Sequence, residues 1–253
     1  MSEPRILLHD IETAPALGYV WGKWEQNVLE FQHDWYVLSI SWKWLDEKKV
    51  HVKGLDDFER YSRDPEDDYD LVALAHKLFS EADVVVAHNG ISFDTKKLQA
   101  RMIIHGFDPP TPFREVDTLR VARGHFAFTS NKLGDLCDAL GIGRKLEAGG
   151  FQTWLGCMRG DLEAWKKMKK YNKHDVVILE QLYLKLRPWM SRHPNLATIA
   201  EVEKACPKCG STEGMKPRGW SASSVSRRRV YQCVSCSGYS SGRVIERSEA
   251  QYV

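Results

Sequence analysis

The sequence predicts an α/β fold, a mixed sheet flanked by helices, followed by a small cysteine-rich module. Three observations carry this expectation. Two short, wholly apolar runs, Ile6-Leu7-Leu8 and Val84-Val85-Val86-Ala87, have the length and character of buried strands. A β-rich stretch over residues 36–53 precedes segments in which strand and helix patterns alternate, the order expected of a mixed sheet. Two Cys-x-x-Cys pairs, Cys206/Cys209 and Cys233/Cys236, close the chain.

The elements follow in order. The first apolar run leads into Asp10. Residues 36–44 and 49–53 are rich in β-branched and aromatic side chains, and Asp46-Glu47-Lys48-Lys49 between them reads as a hairpin turn. The acidic stretch from Asp56 to Asp70, broken by Pro65, is expected to be a solvated loop. Leu71, Leu74, Ala75, Leu78 and Phe79 then fall on one helical face. Asp94 opens another helix, where the dipole favours a carboxylate. Helical spacing returns at 131–140 and most clearly at 161–186, ended by Pro188. Residues 1–190 are expected to form one domain, 189–204 a connector and 205–247 a separate module. Trp21, Trp24, Trp35, Trp42 and Trp44 are expected in the core or on a sheet face.

With 43% apolar and 28% charged residues the chain is expected to be globular. No apolar run reaches the roughly 18 residues of a membrane span, and Met1–Arg5 has no secretory character, so a cytoplasmic protein without a membrane partner is expected. The net charge of +2 is unevenly placed. Residues 201–253 hold nine Lys/Arg against five acids, a net of +4, and leave the remainder at −2. An acidic body with a basic tail suits carboxylate chemistry beside a polyanion.

Asp10-Ile11-Glu12 places two carboxylates two residues apart after an apolar strand, hence on one face. Asp-x-Glu recurs at Asp57/Glu59, Asp64/Glu66 and Asp161/Glu163, where surface charge explains it, and Asp94 alone could be a helix cap. Tyr171 and Asp175 lie one turn apart on the longest predicted helix, and an Asp on its apolar face is costly unless paired or metal-bound. Three segments thus each supply acids. Oxygen ligands of this kind select Mg²⁺ or Mn²⁺, and two such ions about 4 Å apart support in-line phosphoryl displacement.

These motifs resemble the DnaQ-like DEDD exonucleases, in particular the proofreading domain of family B DNA polymerases. Asp10-Ile11-Glu12-Thr13, Asn89 to Asp94 (Asn-x-x-x-Phe-Asp) and Tyr171 to Asp175 (Tyr-x-x-x-Asp) stand in the family's order. Asp117-Thr118-Leu119, Lys132-Leu133 and Leu140-Gly141 match the stretch between the second and third motifs. The resemblance covers about residues 5–187. It implies a ribonuclease H-like fold and a 3′→5′ exonuclease that releases 5′-mononucleotides from DNA, single strands above all. It further implies that Asp10 bridges two Mg²⁺ or Mn²⁺ ions, Glu12 and Asp175 hold the water-activating one, and Asp94 helps the other. Tyr171 would orient the attacking water. The histidine branch of the family places His five residues before the last Asp, where this chain has Lys170, so the tyrosine (DEDDy) branch is implied. Asn89 and Phe93 are expected to touch the substrate. Alternatives are an exoribonuclease, a weakly catalytic nucleic-acid-binding adaptor and a structure-specific endonuclease. His-Asp pairs at 9/10, 33/34 and 174/175 raise a further reading, a helical HD phosphohydrolase, disfavoured because His9-Asp10 ends a strand.

Cys206, Cys209, Cys233 and Cys236 fit one structural Zn²⁺ in a zinc ribbon. Arg218 with Trp220, and Arg227-Arg228-Arg229 with Tyr231, combine cations and aromatics in a way that suits single-stranded nucleic acid, with a protein partner as the other reading. Lys166, Lys167, Lys169, Lys170 and Lys173 read mainly as a solvated helix face.

Overall fold

A computed structural model describes residues 3–24, 27–223 and 226–247. Along the chain run β1 (Ile6–Thr13), β2 (Leu17–Tyr19), β3 (Glu30–His33), β4 (Val37–Trp44), β5 (His51–Gly54), α1 (Tyr69–Ser80), β6 (Val84–Ala87), α2 (Asp94–Ile104), β7 (Arg114–Asp117), α3 (Thr118–His125), α4 (Leu133–Ala139), α5 (Phe151–Met158), α6 (Leu162–Leu186), α7 (Leu196–Ile199), β8 (Met215–Ala222), β9 (Ser226–Cys233) and β10 (Tyr239–Arg247).

The central sheet has the order β5-β4-β1-β6-β7. β1, β4 and β5 pair antiparallel, which a short turn at Leu45-Asp46 permits, while β6 and β7 run parallel to β1 and need helical crossovers. This is the mixed sheet flanked by helices that the alternation of patterns predicts. Alternation along β1 divides the interior: Leu7 and Ile11 join one apolar cluster with α1, α2 and the start of α6, whereas Ile6 and Leu8 join another with α3, α4 and the rest of α6. His9 falls with Leu7 and Ile11. It is fully buried edge-on to Phe79, 5.0 Å between ring centres, and burial pushes its imidazole down to about 3. His9 and Asp10 therefore face opposite sides of the strand, and together with the mixed sheet this removes the HD-type reading.

The acidic stretch is more ordered than a solvated loop. It contains two short 3-10 turns, Leu55–Asp57 and Glu59–Ser62. Asp68 is completely buried, accepting from the Val37 amide at 2.8 Å and from Arg101 of α2 at 2.6 Å, with His105 also 2.6 Å away. Paired in this way, a buried carboxylate ties α1, α2 and β4 together. Trp42 and Trp44 pack on the core as expected. Trp21 and Trp24 do not: they follow β2, one strand of the two-stranded β2–β3 sheet, and are 88% and 76% exposed. α3 and α5 are additional to the helices read from periodicity. The second cluster runs on through Met190 and Leu196.

The C-terminal module is a three-stranded antiparallel sheet, β10-β9-β8. Its first knuckle rests on the end of α6: the Lys208 ammonium donates to the Pro188 carbonyl at 2.6 Å, and the Leu196 amide donates to the Pro207 carbonyl at 2.8 Å. Among the described residues, no helix is long and apolar enough to cross a membrane.

Candidate active site and cysteine cluster

β1 supplies the first two carboxylates from within the strand rather than from its end. Asp10 pairs with Ser41 of β4 and Glu12 with Ser39, so both side chains leave the same face. α6 crosses that face. Its apolar stripe, Trp165, Met168, Val176, Leu179 and Leu182, is interrupted by Asn172 and Asp175, both buried. One carboxylate oxygen from each of Asp10, Glu12 and Asp175 lies within 4.8 Å of the others. Asp94, at the start of α2 and 3% exposed, touches the same strand by accepting from the Ile11 amide at 3.2 Å.

Polar contacts hold this cluster in place. Asn172 donates to Asp10 Oδ2 at 2.5 Å and accepts from the Ser39 hydroxyl at 3.1 Å, linking α6, β1 and β4. Trp154 of α5 hydrogen-bonds Glu12, and its ring meets that of Tyr171 edge-on at 6.2 Å. The Tyr171 hydroxyl bonds Asp175 one turn further along the helix. Lys145 places its ammonium 2.8 Å from Asp175 Oδ2 and 4.9 Å from the Tyr171 ring centre. It sits in a segment where Gly141, Gly143, Gly149 and Gly150 all have positive φ, a backbone that side-chain-bearing residues resist.

Crowded acids with little water hold protons tightly. Burial, then repulsion from Asp175, moves Glu12 up to about 8, against the pull of Lys145. Burial raises Asp94 to about 7, opposed by the Ile11 amide. Asp10 is raised well above the usual carboxylate range by burial and by Asp94, Glu12 and Asp175. Asp175 is raised by burial, with Lys145 opposing. Burial also lifts the Tyr171 phenol to about 12, so it stays protonated and able to donate.

Divalent cations fit this donor set. Its members are hard oxygens, and Asp175 Oδ1 is buried without a hydrogen-bond partner, an expense that a metal ligand removes. Asn89, in the turn before α2, has a positive φ of 72° and donates its backbone N–H to Asp117 Oδ1 at 3.0 Å. Phe93 is 39% exposed at the start of α2. A cleft of about 970 Å³ is lined by Asp10, Asn89, Arg123, Lys132 and Lys145 among others. A more apolar pocket of about 580 Å³ is lined by Thr13, Trp35, Lys97, Phe151 and Trp154 among others. His174 Nε2 donates to the Arg144 carbonyl, 2.8 Å away, and Lys169 donates to Asp56 and Asp57.

Sequence reasoning missed Asn172, Trp154 and Lys145. Asn172 carried a usable signal, since it breaks the same apolar stripe as Asp175. Lys145 and Trp154 carried none, because their contacts depend on how distant segments meet.

The four cysteines of the C-terminal module also converge. Sγ of Cys206 lies 3.8 Å from that of Cys236, and Sγ of Cys209 lies 3.7 Å from that of Cys233. All four are within 4.8 Å of one another. Thiolates placed tetrahedrally about 2.3 Å from zinc stand roughly 3.8 Å apart, so the arrangement fits that ion. Arg218, Arg227, Arg228 and Arg229 lie on β8 and β9, away from the acids in sequence and in a different sheet.

Comparison with known proteins agrees with this geometry. The DNA polymerase III PolC-type of Ureaplasma parvum serovar 3 (strain ATCC 700970) is 26% identical over 111 residues, 44% of this chain and 8% of that protein. The structure of the family B DNA polymerase from the hyperthermophilic archaeon Pyrobaculum calidifontis is similar with a TM-score of 0.51 at 17% identity, over 74% of this chain and 25% of that one. At that identity the likeness is one of fold, and this chain corresponds to a minor part of each polymerase. A family model described as the RNase H superfamily matches residues 32–187, from β3 to the end of α6. Its span holds Asp94, Tyr171 and Asp175, while Asp10 and Glu12 join them through the pairing of β1 with β4. On the match over most of its length and on the β5-β4-β1-β6-β7 sheet, this chain belongs to the RNase H superfamily.

Proposed function

We propose that this chain is a metal-dependent 3′→5′ exonuclease acting on DNA, with Asp10, Glu12, Asp94 and Asp175 as metal ligands and Tyr171 as a helper of the tyrosine (DEDDy) type. The observation that supports it most is the convergence of Asp10, Glu12 and Asp175 oxygens within 4.8 Å, one helical turn from the Tyr171 hydroxyl. Two bound Mg²⁺ or Mn²⁺ ions would activate water and stabilise both oxygens of an in-line phosphoryl displacement. The chain's own residues do the positioning. Asn172 fixes Asp10, Trp154 fixes Glu12, and Tyr171, still protonated, offers a donor to the attacking water or the phosphate. Lys145 gives the cluster a cation when no metal is bound.

The polymerases similar to this chain act on DNA, which supports that substrate. Asn89, Phe93 and the cleft lined by Arg123 and Lys132 would receive its 3′ end. The cysteine module, residues 205–247, would be a zinc ribbon holding one structural Zn²⁺. Digestion of matched 5′- and 3′-labelled single strands of DNA and RNA with Mg²⁺ and with Mn²⁺ tests the reading. Ladders that shorten from the 3′ end of DNA, with mononucleotide products, support it. Internal cuts, or degradation of RNA alone, refute it.

A further inference from the structure

The β8–β9 pair has a composition that the active-site chemistry does not use. Its sixteen residues include Lys216, Arg218, Arg227, Arg228 and Arg229 and no acid. The nearest described carboxylate in sequence, Glu213, is held at the knuckles by the Ser235 hydroxyl at 2.7 Å. In the antiparallel register Trp220 stands opposite Arg229, and Ala222 opposite Arg227, so Trp220 and the two arginines share one face. The Arg227 guanidinium lies 4.2 Å from the Trp220 ring centre and that of Arg229 lies 4.8 Å away. Trp220 nevertheless remains 41% exposed. Arg218 is oriented by donating to Gln232 Oε1 at 2.9 Å.

A buried role for Trp220 is excluded by its exposure, and a purely solubilising role does not require guanidiniums arrayed around an indole. The excess of cations over acids on these two strands favours a polyanion, even with Glu246 of β10 set opposite Arg227 in the register. A solvent-facing ring flanked by planar guanidiniums favours one with accessible base faces, which a duplex keeps inside its stack. We propose that the β8–β9 face is a holding surface for single-stranded nucleic acid, with Trp220 as the base-stacking platform and the flanking Arg227 and Arg229 as phosphate contacts. The surface lies on a different sheet from the carboxylate cluster, so in this proposal it holds long strands whose 3′ end is processed at the acids.

The test measures binding rather than cleavage, so its outcome is separable from the exonuclease reading. The full-length chain carrying Asp10→Asn is titrated with a fluorescent twenty-nucleotide oligothymidylate and with a duplex of equal length, over a range of salt. Zinc content is measured for every variant. Trp220→Ala is expected to weaken single-strand binding roughly ten-fold and duplex binding little. Arg227→Ala/Arg229→Ala is expected to lower the slope of log affinity against log salt by about 1.4, the value for two lost phosphate contacts. As a check free of substitutions, iodouracil-substituted oligonucleotide should photocrosslink the wild-type chain within residues 215–233. Unchanged affinity and slope in zinc-replete variants, equal losses for duplex and single strand, or crosslinks confined to residues 5–187 would each overturn the proposal.

Discussion

Lys145 pairs with Asp175 Oδ2 at 2.8 Å, so the acid cluster is faced by a cation from its own chain. The pairing spans 30 residues of sequence, from a glycine-flanked segment to α6. It balances part of the repulsion among Asp10, Glu12 and Asp175, and it draws on the oxygens that a divalent cation requires.

Lys145 therefore competes with metal for Asp175. Lys145→Met is expected to tighten Mn²⁺ binding roughly three- to five-fold in the absence of substrate, the scale of a partly solvated ion pair. Titration calorimetry at low ionic strength reads this directly. Weaker binding would mean that the ammonium organises the carboxylates more than it opposes the metal.

Tyr171→Phe removes the phenol while keeping the ring against Trp154. Cleavage is expected to slow about a hundred-fold, within the range for a lost positioned proton donor, with metal and substrate affinities retained. Single-turnover rates at saturating substrate measure it. An unchanged rate would reduce Tyr171 to a packing residue.

The raised carboxylates predict how metal-free stability depends on pH. A group whose folded value lies above its unfolded one stabilises the fold while protonated, and that contribution fades as pH rises through the folded value. With unfolded values near 4, Asp94 at about 7 and Glu12 at about 8 spread the loss from about pH 4 up to about pH 8. Buried His9 and His193, both lowered from 6.5, offset part of this below about pH 6.5, which leaves a clean window from about pH 6.5 to 8. Tm without divalent metal should fall across the window, and saturating Mg²⁺ or Mn²⁺ should flatten the profile. A metal-free Tm that rises over this interval would contradict the assigned environments.

The cysteine module and the nuclease domain should be separable. A chain ending at Lys204 keeps Met190 and Leu196 in the second apolar cluster and loses only contacts such as Lys208 to Pro188 and Leu196 to Pro207. It should fold, bind no zinc and still cleave a short oligonucleotide. Insolubility, or loss of cleavage in a folded product, would show that the module supports α6.

Period and apolarity made much of this legible. The alternation after Ile6-Leu7-Leu8 puts Asp10 and Glu12 on one face, and Asp175 stands out because it violates the stripe of a 25-residue helix. α3 and α5, eight residues each, offer too few turns for a stripe to declare itself. Asp68 looked like surface charge because its partners, Arg101 and His105, come from another helix. Trp21 and Trp24 contradict composition outright, since nothing local marks an aromatic pair as solvent-facing. What periodicity cannot convey is the meeting of segments, which is how Lys145 and Trp154 reach the site.

One carboxylate cluster is proposed to perform 3′→5′ hydrolysis. Matched 5′- and 3′-labelled single-stranded DNA should be digested with Mn²⁺ by the wild type, Asp10→Ala and Asp175→Ala, each checked for an intact fold. The wild type should shorten the 5′-labelled strand one nucleotide at a time and release the 3′ label at once as a mononucleotide. Both variants should be inactive, with a Tm without metal equal to or above that of the wild type, because repulsion within the cluster is relieved. Wild-type turnover by well-folded Asp10→Ala protein, or release of the 5′ label first, would contradict the account.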